Sequence, residues 1–308
     1  MGRPTRRGFC AGLAAAVTSC QRGHKKLIAV IPKATSHLFF VSVHVGVNAA
    51  AKEFGVNVLW DGPDQETDYS RQIEIVDAMV ARHVDAIAIS ATDRDALVAP
   101  VRRAINAGIP VSVFDSGLAI DDYVTFVATD NYGAGQMAAG ELAKLIGGQG
   151  SIAMIMQRPG GQSTTDREKG FTDAIAKEYP RIRLVQSVFG MGDPAISRTA
   201  AENILTAHPR MDGLFASAEA SSIGAIQAIR ARGLAGKLRL VGFDFSDAHK
   251  SALQEGVMDA TVVQDTYHIG YEAVRSLALK LAGRTPPKRV DLPARVVRKE
   301  KLNTMARA

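Results

Sequence analysis

From Leu27 onward, short continuous apolar runs alternate with longer stretches in which apolar residues return every three or four positions. The runs LIAVI (27–31), VNVLW (56–60), AIAIS (86–90) and VSVF (111–114) are too short and too rich in β-branched residues for helices, and they read as strands. Between them the pattern predicts three helices. The first runs from about Phe39 to Phe54 and is closed by Gly55; the second starts at a cap on Thr67 or Asp68 and carries Ile73, Val76, Met79 and Val80. The third runs from about Asp93 to Ala107 and is closed by Gly108, after which Pro110 opens a strand without removing a ladder donor.

YVTFVATDN (123–131) reads as a looser strand that passes between two halves of the molecule, followed by a helix from about Gly133 to Ile146 that stops at Gly147-Gly148. The alternation then restarts. SIAMIM (151–156), IRLVQSVF (182–189), GLFAS (213–217), LRLVGFD (238–244) and ATVVQ (260–264) are the strands, with helices around 165–178, 194–207, 219–232 and 246–255. A last helix, about Gly270 to Leu281, precedes Pro286-Pro287 and a final extended piece, VDLPARVV. Strict alternation of strand and amphipathic helix predicts an α/β fold made of two doubly wound parallel-sheet lobes of similar build.

Composition agrees with an ordinary folded chain: 308 residues, 46% hydrophobic and 22% charged, are enough for two such lobes. The formal net charge of +6 changes little, because Arg3, Arg6 and Arg7 carry three of those charges in a stretch without an acid, and the remainder gives no footing for nucleic-acid binding. That basic start, the apolar stretch from Phe9 to Val17 and the small residues before Cys20 predict an export signal over residues 1–19. Thr5-Arg6-Arg7-Gly8-Phe9 resembles a twin-arginine signal, with a Sec-type signal as the alternative, and Val17-Thr18-Ser19-Cys20 resembles a lipobox. The expectation is a periplasmic or extracytoplasmic protein tied to a membrane by lipid on Cys20, with residues 20–26 as a polar tether. Cys10 leaves with the leader, so no disulfide framework remains.

Candidate chemistry sits at strand tips and helix starts. Asp115 and Asp244 each end an apolar strand, and in an open parallel sheet the carboxyl ends of strands face the ligand crevice, so the two acids can face each other across a cleft. His37, Ser116, Arg167 and Gln264 occupy comparable places, each also readable as a cap, an ion pair or a surface group. Carboxylates accept from pairs of hydroxyls, Arg offers a planar fork of donors, and Gln does both, a set suited to a small polyhydroxy ligand. Phe39 and Phe40 are placed to pack on a sugar ring or in the core, and Trp60 follows a strand. Gly133, Gly135 and Ala138 fit a dinucleotide fingerprint, but no acid follows the next strand where a ribose hydroxyl would need it. The seven histidines form no H-x-x-x-H pair, and there is neither a G-x-S-x-G elbow nor a Walker loop, so no cofactor, metal or enzymatic activity is expected.

The segments HLFFVSVHVG (37–46), GIPVSVFD (108–115), ATDN (128–131), DREKGF (166–171), ENILTAHP (202–209), VGFD (241–244) and EGVMDATVVQ (255–264), in this order and spacing, resemble the periplasmic sugar-binding family, in its ribose-binding-protein-like branch. The resemblance runs from about Leu27 to Val297. It implies a periplasmic binding protein type I fold with three crossings between lobes, near Thr129, Asp265 and Pro293. The N-terminal lobe would hold 27–129 plus 265–292 and the C-terminal lobe 130–264 plus 293–308. It further implies a monomer that closes on a monosaccharide or polyol and delivers it to the permease of an ABC importer. Carried over residue by residue, it makes Phe39 and Phe40 stacking groups and Asp115, Arg167, Asp244 and Gln264 hydrogen-bonding groups. The chain departs from the ribose pattern at His37 in place of Asn, Ser116 in place of Arg, Gly192 in place of a third aromatic and Ala218 in place of Asn. Phe189 or Met191 is the candidate to fill the space at Gly192, and Glu219 the candidate to replace the polar group lost at Ala218. Two other readings use the same fold: a sensor that presents its ligand to a membrane receptor or kinase, and a lac-repressor-like regulator. The latter would need a helix-turn-helix module where the export leader stands.

Overall fold

The computed structural model describes residues 25–302. In chain order, β1 (Leu27–Ile31), α1 (Leu38–Phe54), β2 (Asn57–Trp60), α2 (Tyr69–Ala81), β3 (Ala86–Ile89), α3 (Val98–Asn106), β4 (Val111–Phe114) and β5 (Thr125–Thr129) come first. Next are α4 (Asn131–Leu145), β6 (Gly150–Met156), α5 (Gln162–Glu178), β7 (Ile182–Phe189), α6 (Pro194–Ala207), β8 (Gly213–Ala216), α7 (Glu219–Ala231), β9 (Arg239–Phe243), α8 (Asp247–Glu255) and β10 (Ala260–Val263). Last come α9 (Thr266–Leu281), β11 (Arg289–Leu292) and β12 (Arg295–Arg298). They build two six-stranded sheets, ordered β11-β5-β4-β3-β1-β2 and β12-β10-β9-β8-β6-β7. Every pairing is parallel except β12 with β10. The chain passes from one sheet to the other after β5, after β10 and between β11 and β12, so two α/β lobes are joined by three strands of connection.

Alternate residues of each central strand feed opposite faces, which is why the strands read as continuous apolar runs. Ile28 and Val30 of β1 pack with Val43, Val47, Ile269 and Leu277 from α1 and α9, while Ala29 and Ile31 pack with Ile75, Val76 and Val101 from α2 and α3. The second sheet divides its strands in the same manner between two clusters. At about 1.5–3 kcal/mol for each buried Val, Leu, Ile or Phe, these four layers are the main source of stability.

Gly135 lies inside α4. A Cβ there would stand 1.9 Å from the Arg167 carbonyl oxygen, so the glycine lets α4 and α5 touch backbone to backbone, and Gly46 does the same between α1 and α9 against Tyr267. Three element ends differ from the sequence pattern for local reasons. The third helix begins at Val98 because the Asp93 carboxylate accepts from the Asp95 and Ala96 N–H groups and holds a turn first, which places Pro100 in the first helical turn. The last helix begins at Thr266, capped by Asp265, and runs through Gly270. The 123–131 stretch holds an ordinary strand of the first sheet, paired to both β4 and β11, and the crossing comes after it at Asp130, whose side chain caps α4.

His249 of α8 is fully buried, with Nε2 against the Phe243 carbonyl (3.1 Å) and Nδ1 against Ser246 Oγ (2.8 Å). The carbonyl can only accept, so Nε2 carries the proton and Nδ1 accepts from the serine. Burial drives this ring's pKa down from 6.5 to about 4. The unfolded chain therefore protonates it first as pH falls, and about 3 kcal/mol of stability is lost between those two values. Denaturant melts from about pH 7 to about pH 4.5 should show a steeper loss in wild type than in His249→Gln; parallel curves would contradict this.

Candidate functional site

The carboxyl ends of the two sheets face each other, and Asp115 and Asp244 stand at equivalent tips, one residue past β4 and one past β9. Both adopt the left-handed region (φ 57° and 70°), and each donates its backbone N–H to a neighbouring strand, Asp115 to Val127 O and Asp244 to Val262 O, both at 2.8 Å. That conformation costs a residue with a Cβ about 1–2 kcal/mol, and Asp and Asn tolerate it best. The strained tips turn both carboxylates into the space between the sheets. There, a small cavity of about 30 Å³ is lined from both lobes.

Of the residues singled out in the sequence, His37, Phe39, Phe40, Asp115, Arg167, Ala218, Glu219, Asp244 and Gln264 line this space. Phe40 is buried with Phe39 edge-on against it, their ring centroids 5.0 Å apart at 88°. Arg167 is 2% exposed; its guanidinium lies 3.4 Å over the Phe243 ring, Nη2 donates to Asn131 Oδ1 (2.8 Å) and Nη1 to Ser217 O (2.5 Å), leaving Nε without a partner among the described residues. Gln264 Nε2 donates to Asp244 Oδ1 (2.8 Å), and the Glu219 N–H donates to Asp244 Oδ2 (3.0 Å). Glu219 also reaches across the cleft. Its Oε2 accepts from the Phe39 N–H (2.9 Å), satisfying a donor at the start of α1 that the His37 side chain does not cap.

Two expectations change. Ser116 does not line the cleft; it lies behind Asp115, its Oγ accepting from the Ser163 N–H at 3.4 Å. Phe189 and Met191 are exposed, and the groups nearest to Gly192 are Gln157 and Glu66. Trp60 stacks on His44 of α1 (4.3 Å, 14°), outside the cleft lining.

Five lining residues escaped the sequence reading: Lys33, Glu66, Gln157, Ser163 and Thr164. Lys33 and Gln157 follow β1 and β6, so the strand-tip rule that picked out Asp115 also reaches them. Glu66 sits in the turn-rich stretch after β2, and Ser163 and Thr164 lie in the first turn of α5, just before the sequence pattern starts that helix. The Lys33 ammonium lies 3.2 Å from Asp115 Oδ2, 3.8 Å from Glu66 Oε1 and 3.3 Å from Ser163 Oγ. Lys33 thus brings a cation to Asp115 from β1, where the resemblance expected an Arg at position 116.

The charges are arranged so that each buried ion is answered. Burial opposes the charge on Lys33, but Asp115 and Glu66 outweigh it and raise its pKa; burial likewise opposes ionisation of Glu66, and Lys33, His37 and Gln157 hold it well below the usual carboxylate range. His37 is pushed up against burial by Glu66, whose Oε1 lies 3.4 Å from Nδ1. At the other end burial wins: Asp244 is raised despite Arg167 and Gln264, and Glu219 is raised by burial and by Asp244. Among the described residues, no group of three His, Cys, Asp or Glu is placed to hold a metal ion, and no helix is long and apolar enough to cross a membrane.

A family model described as a periplasmic binding protein domain matches residues 28–285. The ribose import binding protein of Bacillus subtilis is 30% identical over 258 residues, spanning 84% of this chain and 82% of its own length. The D-ribose/D-allose-binding protein of Pseudomonas aeruginosa is 32% identical over 279 residues, spanning 87% and 86%. Among solved structures, a carbohydrate transporter solute binding protein from Agrobacterium radiobacter in complex with D-arabinose superposes with a TM-score of 0.89 at 31% identity, over 92% of this chain and 98% of that one. An ABC transporter solute binding protein from Agrobacterium vitis with bound D-fucose gives 0.87 at 33% identity, over 90% and 97%. The chain belongs to the periplasmic binding protein family, among its ribose-binding-protein-like members.

Proposed function

We propose that this protein captures a neutral monosaccharide or closely related polyol outside the cytoplasm and hands it to the permease of an ABC importer. The observation that carries the reading is the pair of carboxylates on left-handed strand tips, Asp115 and Asp244, facing one cleft with Arg167 and the Phe39–Phe40 rings. Acceptors paired across a gap, a planar donor fork and an apolar platform match the hydroxyls and the ring face of a sugar. The sugars named for the relatives, ribose, allose, arabinose and fucose, are neutral. Charge favours the same class: four buried carboxylates, Glu66, Asp115, Glu219 and Asp244, line the cleft against three groups that can carry positive charge, Lys33, Arg167 and His37, and Lys33 and His37 are already paired with Glu66 or Asp115, so a sugar acid or phosphate would bring its charge into a cleft rich in carboxylates. Titration calorimetry with neutral pentoses, hexoses and polyols beside uronic acids and sugar phosphates tests this. Micromolar or tighter binding of a neutral member is expected; binding of the anions alone would overturn it.

The proposal includes two lobes, 27–129 with 265–292 and 130–264 with 293–308, that close on the ligand, and a lipid on Cys20. The leader and Cys20 lie outside the described residues. Two or more acyl chains anchor far more firmly than the marginal binding of one. Mass spectrometry of the mature N-terminus should find a diacylglyceryl-modified Cys20, and an unmodified start at another residue would refute the anchor.

A further inference from the structure

Gln157, one residue past β6, is fixed from both sides of its backbone: its N–H donates to Glu168 Oε1 (2.8 Å) and its carbonyl accepts from the Gly192 N–H (3.1 Å). The side chain is 3% exposed and lines the cleft. Nε2 donates across the cleft to Glu66 Oε2 (3.3 Å), and Oε1 has no partner among the described residues. An ionised carboxylate only accepts, and Glu66 is held ionised by Lys33 and His37, so the amide has a single orientation in which its oxygen is the free group. A Cβ on Gly192 would stand 3.2 Å from Gln157 Nε2 and 3.9 Å from Glu66 Cβ, so this polar pair lies beside the glycine.

Gln264 Oε1 is likewise without a partner among the described residues, and Gln264 follows β10. Between β6 and β10 lie β8 and β9, so the two glutamines rise from strands about 14 Å apart, three inter-strand spacings. A buried acceptor left unpaired costs free energy, so each of these oxygens selects for a hydroxyl donor on whatever occupies the cleft.

We propose that Gln157 Oε1, oriented by Glu66, is a specificity-determining acceptor for a hydroxyl at the end of the sugar away from Gln264. The ligand is therefore fully hydroxylated at that end, and the analogue lacking that one hydroxyl is rejected. The inference rests on the sugar-binding reading above.

The test takes the tightest binder among D-ribose, D-arabinose, D-allose, D-tagatose and D-galactose, together with each of its monodeoxy analogues, and titrates them into wild type and Gln157→Met. In wild type one monodeoxy analogue should bind about ten- to a hundredfold more weakly than its parent through this contact. In Gln157→Met that ratio should collapse to about twofold or less, while the ratios of the other analogues stay as they were, within the usual scatter of independent sites. A purely structural effect would weaken parent and analogues alike. Gln157→Asn, which keeps the amide but withdraws its oxygen by one methylene, should show the same collapse and answers the question if the Met variant does not fold. Unchanged ratios in the variants, with the parent sugar still bound, overturn the assignment of Gln157 and leave the sugar-binding reading standing. If no sugar of the panel or of the wider screen binds wild type, that reading fails and the inference falls with it.

Discussion

Arg167→Lys is expected to weaken sugar binding by about a hundredfold while leaving a folded protein, because a buried, hydrogen-bonded charge is worth about 1.5–3 kcal/mol to the partner that it contacts. The guanidinium does three things at once. It lies over Phe243, it donates to Asn131 and Ser217, and its Nε has no partner among the described residues. A lysine keeps the charge near Asp244, Asp115 and Glu168 but has neither the planar face nor a donor fixed in the fork, so the anchoring bonds and the ligand bond compete for one ammonium. Arg167→Met goes further and takes the cation away from Asp244 and Glu168, while Asp115 keeps Lys33. Its melts should show a loss of about 3–5 kcal/mol, the cost of breaking a buried charge arrangement by removing one member. Calorimetry on the Lys variant decides the ligand contact: affinity within about twofold of wild type would return Arg167 to a packing function on Phe243.

Asp115→Asn should also weaken sugar binding, for a reason that a rescue experiment isolates. Asn accepts the left-handed φ of 57° as Asp does, so the backbone stays in place. What disappears is the charge that answers Lys33 at 3.2 Å and the strong acceptor facing the cleft, while Ser90 Oγ keeps a weaker partner. We expect a loss of about 3 kcal/mol in stability from the unmatched ammonium and a loss of at least about tenfold in affinity. Adding Lys33→Met should return only part of the stability, since it removes the ammonium that Asp115 no longer answers but leaves Glu66 with His37 and Gln157 alone, and it should return none of the affinity. Recovery of both in the double variant would mean that Asp115 serves Lys33 alone and not the ligand.

The central strands were legible because they are buried on both faces and the helices because they are buried on one, so continuous and three-to-four spacing marked them, whereas the partly exposed β11 and β12 read as a single extended piece. What blurred the ends was chemistry between neighbours. The Asp93 turn delays α3, and Gly270 looked like a helix start when it is the point where α1 and α9 touch. Asp115, Asp244 and Gln264 were readable from place alone, since a polar residue after an apolar strand must meet solvent or ligand. Lys33 and Gln157 obey that rule equally, yet a lysine after a strand reads as a solvated charge and a glutamine as a surface group until tertiary structure closes over them. Glu66 offered less. Its turn carries several acids, and only the approach of β1 and the second lobe sets it apart from Asp61, Asp64 and Asp68.

The central claim is that the cleft between the two sheets closes on a neutral sugar held by both lobes. In the structure the lobes already touch through Phe39–Glu219, Glu66–Gln157 and Lys33–Ser163. A ligand favours such a closed state only by as much as it binds that state better than the open one. Small-angle scattering of wild type with and without a saturating amount of the sugar selected by calorimetry measures this directly. The account predicts a smaller radius of gyration with sugar, and a smaller change for Arg167→Lys at the same concentration; bound sugar with no compaction of wild type would contradict it.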